Sequence, residues 1–278
     1  MKIINYQNFK ETVKRLAIEA IYDLDIDVIE SLRKGAKKEE ALSKIIIEEI
    51  IDNAMIAKEK RIPICQDTGI VVVFLEIGNQ LHLDFPLEQT INEAIKEAYQ
   101  EEYFRMSVVR HPLKRENTFT NTPCIIHSRI VEGDKLKITV CPKGAGSENL
   151  SQLKMLTPSV GMNGVINFII DAVKNAGGKV CPPMIVGIGI GGNFEECALL
   201  SKMALIRPIN DHSEDEIAYE LEKTLYQKIN ELNIGPMGIG GKTTCLAVKV
   251  NVAPCHIASL PVAINFQCHA SRHKEAIL

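Results

Sequence analysis

Three turns in this 278-residue chain place a cysteine among groups that do not belong in an apolar core. They are Ile64-Cys65-Gln66-Asp67-Thr68-Gly69, Val180-Cys181-Pro182-Pro183 and Phe266-Gln267-Cys268-His269-Ala270-Ser271-Arg272. Three thiolates from separate turns can hold three irons of a cubane cluster and leave a fourth iron open as a Lewis acid for water and a substrate oxygen. The eight cysteines stand at positions 65, 124, 141, 181, 197, 245, 255 and 268, and none pairs at C-x-x-C spacing, so any metal site must be assembled from distant segments. Cys124, Cys141, Cys197 and Cys245 sit among apolar neighbours and are expected to pack as small hydrophobes.

Two glycine runs also suggest chemistry, and both lack part of their motif. Gly187-Ile188-Gly189-Ile190-Gly191-Gly192 follows a predicted strand and precedes a predicted helix, the context of a dinucleotide fingerprint. The segment after that helix, Ile206 to His212, is polar and broken by Pro208, so no second strand presents an acidic residue to a ribose. Gly238-Ile239-Gly240-Gly241-Lys242-Thr243 resembles a P-loop, but Pro236 stands where its first glycine belongs and a strand follows. Both runs are expected to serve as turns or as places of close backbone approach.

The elements that must position these turns can be read from periodicity. Residues 7–60 carry Leu, Ile and Ala at helical spacing among Lys and Glu, a helical opening belonging to the same domain as the rest. Strands are predicted at IVVVFLEIG and QLHLDF, a helix at LEQTINEAIKEAYQEEYF, and a hairpin from residues 123–132 and 135–141 around Glu132-Gly133-Asp134. A helix at 160–176, a strand at 184–190 and helices at 193–206 and 213–232 follow. The strands CLAVKVNV and ASLPVAINF, joined by a loop with Pro254-Cys255-His256, come last. No internal repeat is evident. Helices and strands do not alternate regularly, so the expected fold class is α+β: one mixed domain, 1–278, with a helical N-terminal region and short β-sheets flanked by helices.

Composition bounds the partners. The chain is 46% hydrophobic and 24% charged, an ordinary globular balance, and 32 Lys+Arg against 35 Asp+Glu give a net charge of −3. That charge disfavours nucleic acid, and no apolar run approaches the ~20 residues needed to span a bilayer. The opening MKIINYQNFKETVKRL has no apolar core ahead of a small-residue cleavage site, so the expected compartment is the cytoplasm.

Taken together, PICQDTG at 63–69, FRMS at 104–107, KGAGSEN at 143–149, CPP at 181–183, GGK at 240–242 and QCHASRH at 267–273 closely resemble the α subunit of the iron-sulfur hydro-lyases. That family comprises class I (iron-dependent) fumarase and L-tartrate dehydratase. The resemblance implies that Cys65, Cys181 and Cys268 ligate a 4Fe-4S cluster. It further implies that Gln66 and Asp67 contact the substrate, that Asp67 moves a proton beside the metal, and that Arg105 grips a substrate carboxylate. Gly146 matches a loop whose backbone N–H groups face the ligand, and His256, twelve residues before Cys268, matches a catalytic family histidine. Arg272 and Lys242 are secondary candidates for anion contacts, and His111, His212, His269 and His273 are expected at the surface.

The activity implied is reversible trans addition of water to fumarate, giving L-malate, at the open iron. A separate β subunit would complete the dicarboxylate site with basic residues and a threonine base, in an α2β2-type oligomer. Two rivals are L-tartrate dehydratase, which shares the architecture, and a non-catalytic cluster-binding sensor. KGAGSEN looks more like the fumarase loop, and a sensor needs only the cysteines, not Gln66, Asp67, Arg105 and His256.

Overall fold

A computed structural model describes residues 2–278. In chain order the elements are β1 (Lys2–Ile4), α1 (Tyr6–Tyr22), α2 (Ile26–Ala36), α3 (Ala41–Lys60), β2 (Ile70–Gly78), β3 (Leu81–Leu83), α4 (Leu87–Glu101), β4 (Ile125–Val131) and β5 (Leu136–Lys143). There follow α5 (Ala145–Glu148), β6 (Gln152–Leu156), α6 (Gly161–Ala176), β7 (Met184–Gly192), α7 (Phe194–Ala204), α8 (Glu216–Glu231), β8 (Cys245–Cys255), β9 (Leu260–Gln267) and β10 (Lys274–Ile277). The α+β class expected from the sequence is the one observed. The chain divides into two compact units, the first holding residues 1–24, 54–145 and 272–278 and the second holding 25–53 and 146–271, so the backbone passes between them four times.

In the first unit a four-stranded sheet runs β10-β5-β2-β4. β2 is an apolar run whose residues Val71 to Phe74 are all buried, as a strand covered on both faces must be. Phe9, Val13, Leu16, Ala17 and Ile21 line one face of α1, and Ile91, Ala94, Ile95, Ala98 and Tyr99 line one face of α4. These faces share a core with the sheet residues Val71, Val73, Leu75, Ile138 and Val140. Asn5 starts α1 by accepting a hydrogen bond from the Asn8 N–H through its side chain.

The hairpin expected at 123–141 does not form. β4 pairs parallel with β2, and β5 pairs antiparallel with β2 on its other side, so β2 lies between the two consecutive strands. The Glu132-Gly133-Asp134 segment closes over the end of β2 instead, where Gly78 N donates to Lys135 O and Gln80 N to Gly133 O. The apolar pattern explains the edge: β2 and β5 are both largely buried and lie inside the sheet, while β4, whose residues are all partly or fully exposed, takes the outside.

The second unit has a sheet of order β6-β9-β7-β8. β7 pairs parallel with β8 and antiparallel with β9, and β9 pairs antiparallel with β6. The plan of the first unit thus recurs: a buried central strand, a parallel neighbour reached through helices, an antiparallel neighbour on the opposite side, and a fourth antiparallel strand beyond that. The sequence showed no such repeat because only the pairing is shared. The fourth strands are exchanged along the chain, since β6 directly follows β5 yet pairs with β9, and β10 directly follows β9 yet pairs with β5. α6 and α8 supply the apolar cover, with Val165, Ile169, Val173, Leu221, Leu225 and Ile229 in one core with Val186, Ile188, Val250, Ile264 and Phe266. The Gly187 and Gly189 run is explained by packing, because a β-carbon at either position would collide with the α7 main chain at Ser201 or Cys197. The 7–60 opening is three helices broken at Asp23–Asp25 and Lys37–Glu40, and no described helix is long and apolar enough to cross a membrane.

Candidate functional site

In each unit the expected cysteine ligands and the motifs around them lie at one end of the sheet, where the central strand begins and its antiparallel neighbour finishes. In the first unit that register is Ile70 opposite Lys143, and in the second it is Ile185 opposite Gln267. PICQDTG and KGAG therefore flank one strand end, and CPP and QCHAS flank the other.

The first unit builds its turn around Asp67. The half-buried carboxylate accepts from Gly69 N at 3.0 Å through Oδ1 and from Ala145 N at 2.8 Å through Oδ2, which ties the cysteine turn to the end of β5. Gly69 has φ +76°, and a side chain there would strike the Lys143 main chain, so this position requires glycine. Thr68 links two further segments. Its carbonyl accepts from the Tyr99 hydroxyl at 2.8 Å, and its own hydroxyl donates to Arg105 O at 2.6 Å. Asn121 donates to Gly69 O at 3.1 Å and accepts from Ser107 N at 2.7 Å. Phe104, packed edge-on against Tyr22 and Tyr99, anchors the residue before Arg105 in the core and leaves the Arg105 side chain exposed. Burial drives the Tyr99 phenol well above its ordinary pKa, so it stays a neutral donor.

Cys65, Gln66, Asp67 and Arg105 are thus brought together. Cys65 is half-buried and Gln66 exposed, with the thiol 3.8 Å from the Gln66 side-chain carbonyl. Gly146, one residue beyond Ala145, is exposed, and a β-carbon built there would meet nothing within 4 Å.

The second unit gathers Cys181 and Cys268. Cys181 adopts a left-handed conformation, φ 59° and ψ 65°, directly before Pro182-Pro183. Its carbonyl accepts from His269 N at 3.3 Å and lies 3.0 Å from His269 Nδ1. A carbonyl can only accept, so this second contact requires the ring proton on Nδ1. Gln267 Nε2 donates to Ala270 O at 3.2 Å and closes the Cys268 turn, while Gln267 Oε1 is buried without a partner. His269, expected at the surface, is instead half-buried and joins the two cysteine turns; a sequence reading has no means of pairing segments 88 residues apart.

His256 is not brought to these cysteines. It is exposed at the turn between β8 and β9, beyond the pair Gly192–Cys255, at the opposite end of the sheet from Cys181 and Cys268. The eight rises of β7 separate the two ends by roughly 26 Å. Its Nδ1 accepts from Ala258 N at 3.1 Å within that turn. Lys242 is exposed, its amine 3.7 Å from Glu40, in a glycine turn held by Glu39, which accepts from Thr243 N. Arg272, expected as an anion contact, is buried; its Nη1 donates to Asp67 O at 2.6 Å. The sequence offers Arg272 as a charge available to an anion, and only the fold shows that it is enclosed.

The donor chemistry of the cysteines sorts them. All eight are thiols. Burial pushes the Cys124 and Cys245 thiols up to about 12 and raises Cys197 as well, which makes them poor sources of thiolate. Cys65, Cys181 and Cys268 are half-buried on turns, reachable and soft, which fits ligation of iron or another thiophilic metal. Within either unit, no three His, Cys, Asp or Glu side chains among the described residues gather as a ready-made ion site.

The chain matches the family model described as fumarate hydratase (Fumerase) over residues 10–277. It is 44% identical over 270 residues to a Methanocaldococcus jannaschii protein that carries the provisional name L(+)-tartrate dehydratase subunit alpha, with 94% of each chain covered. It is 31% identical over 250 residues to the L(+)-tartrate dehydratase subunit alpha of Escherichia coli strain K12 and of Shigella boydii, covering 88% of this chain and 82% of theirs.

Proposed function

This chain belongs to the fumarate hydratase family, and from that membership and its two sets of turns we propose that it is the α subunit of an iron-sulfur hydro-lyase acting on a four-carbon dicarboxylate. The reaction is reversible hydration of fumarate to L-malate. Cys65, Cys181 and Cys268 would hold a 4Fe-4S cluster, which would supply a Lewis acid for the substrate hydroxyl. The observation that carries the reading is the sorting of the cysteines: the three on the family motifs are half-buried turn residues, and the enclosed thiols lie elsewhere.

The remaining steps fall to this chain's own residues. Arg105 presents an exposed planar guanidinium, able to bind a substrate carboxylate through two parallel hydrogen bonds. Gln66 offers an amide donor beside it. Asp67 is the proton-moving carboxylate; two main-chain N–H groups hold it in one orientation, so no reorganisation is needed when it acts. Gly146 leaves its backbone open to the ligand. His256 is the further catalytic candidate, carried at the end of its sheet away from Cys181 and Cys268.

The two units together form one α-type catalytic domain. The relatives' names as alpha subunits support a separate β subunit that completes the site, in an α2β2-type assembly. Eight cysteines kept as thiols support the cytoplasm as the compartment. Those same names support a second reading, dehydration of L-tartrate to oxaloacetate. An anaerobic assay of the reconstituted α and β chains with fumarate, L-malate and L-tartrate decides between them. Turnover of fumarate with little of tartrate supports the first reading, the reverse supports the second, and neither reaction would discard both.

A further inference from the structure

Arg272 is a full charge at 2% exposure, one of the largest enclosed side chains in the protein. A guanidinium is rarely buried unless its donors are used, yet Nε is enclosed without a partner. Its other two nitrogens face the Asp67 turn. Nη1 donates to Asp67 O at 2.6 Å, and Nη2 lies 3.1 Å from the point where a β-carbon at Gly144 would stand. Asp67 Oδ2 lies 3.1 Å from that same point, and this oxygen also accepts from Ala145 N at 2.8 Å. Gly144 therefore sits between the guanidinium and the carboxylate with no room to spare.

We propose that Arg272 is a positioning residue that pegs the Cys65–Gly69 turn to the Gly144–Ala145 turn. Through Asp67 it fixes the direction in which Cys65, Gln66 and the Asp67 carboxylate leave the sheet. One prong of the guanidinium donates to the Asp67 carbonyl and the other fills the space beside Gly144, a planar shape that an ammonium lacks. A cation recruited for core stability alone would have all its donors paired; the unpaired Nε–H is a local cost of the kind proteins carry at functional sites. The link to catalysis rests on the functional reading that Asp67 and Cys65 belong to the site. The peg itself rests only on the geometry.

The test uses the holoenzyme, α with its β partner, carrying Arg272→Lys or Gly144→Ala. Gly144→Ala is the gentler probe, because its added carbon pushes Arg272 Nη2 and Asp67 Oδ2 apart by a few tenths of an ångström and leaves the charge in place. Amide hydrogen exchange is read at Gly69 and Ala145, the two N–H groups that Asp67 accepts from, alongside iron content, kcat and KM. Arg272→Lys should speed exchange at those two amides on the order of 10- to 100-fold, as expected for loss of a charge-assisted hydrogen bond, with amides of the β2 centre unchanged. It should also lower kcat more than it raises KM at unchanged iron content, and Gly144→Ala should move the same two amides in the same direction. Unchanged exchange at Gly69 and Ala145 in Gly144→Ala, or acceleration spread evenly over the whole first unit, would overturn the proposal. A local exchange change in a wild-type background that hydrates no dicarboxylate would support the peg and discard the functional reading.

Discussion

The first unit places β2 between β4 and β5, the second places β7 between β8 and β9, and in both the turns of interest lie where the central strand begins. What those turns carry differs. The first unit brings Asp67, Arg105, Lys143 and Arg272 to its strand end with a single thiol, Cys65. The second brings two thiols, Cys181 and Cys268, joined through His269, and keeps its buried ions elsewhere, along β8, where Lys249, Arg207, Asp211 and Glu222 form a closed network. One plan thus carries two sets of side chains: a carboxylate and cations beside one thiol at the strand end of the first unit, and two thiols at that of the second. A shared topology fixes where a loop is exposed and leaves free what the loop does there.

The comparison is most sharply broken by substitutions in the first unit. Asp67→Asn keeps the size and part of the hydrogen bonding but cannot take a proton, so kcat should fall on the order of 10²–10⁴ while the iron content holds. Arg105→Lys keeps the charge and loses the paired donors, so kcat/KM should fall by about 1.5–3 kcal/mol, mostly through KM. Steady-state kinetics with an iron assay on the same samples checks both. Loss of iron in either variant would mean that the first unit's charged residues build the metal site rather than serve the substrate.

Substitutions in the second unit away from its cysteine turns should act on folding. Gly189→Ala drives a methyl into the main chain of α7 and should cost about 1–3 kcal/mol of stability, with the surviving protein turning over normally per iron. Denaturant unfolding and activity per bound iron are the measurements.

The units should also differ in their response to acid. Burial alone would raise the Asp211 pKa, but hydrogen bonds from Arg207 and Lys249 outweigh it and hold the carboxyl below its ordinary range. A lowered folded-state value means that this contribution is present above the unfolded pKa, near 4, and is lost as the pH falls through the folded one. In the first unit, burial raises the Tyr99 phenol, and burial with a hydrogen bond to Glu102 raises Tyr22. A raised value gives stability that is whole below about pH 10 and lost as the pH climbs towards the folded pKa. The second unit carries raised groups as well, the Cys245 and Cys197 thiols, so alkali should loosen both units. Hydrogen exchange resolved by segment should therefore show residues 205–250 loosening before residues 9–22 and 91–104 in acid, and the two units loosening together there would remove the distinction.

Much of this was legible in the chain and some was not, for identifiable reasons. Amphipathic spacing located α1, α4, α6 and α8, because burying one stripe of a helix leaves a period in the residues themselves. The false hairpin at 123–141 came from adjacency: turn residues between two strands describe the connection, and the partner, β2, lies 50 residues away. The repeat was hidden because it lives in pairing order alone. Cys65, Gln66 and Asp67 sit side by side in sequence and in space. His269 and Arg272 owe their positions to contacts with Cys181 and Asp67, 88 and 205 residues distant. His256 shows the converse, a spacing along the chain that the sheet converts into a long separation.

The proposed metal site depends most on the thiols, so the most direct measurement counts iron in anaerobically reconstituted protein. Cys65→Ser, Cys181→Ser and Cys268→Ser are compared with Cys124→Ser and Cys245→Ser, with electron paramagnetic resonance following the loss of one labile iron in air. The wild type should bind about four irons per chain through three thiolates. Each of the first three variants should lose the cluster and all hydration activity. The two enclosed cysteines should cost only stability, about 1–3 kcal/mol for a hydroxyl placed in an apolar site, with the iron count of the folded protein unchanged. A full cluster in Cys65→Ser, Cys181→Ser or Cys268→Ser, or its loss in Cys124→Ser or Cys245→Ser at equal folded fraction, would contradict the assignment of the metal to the three turns.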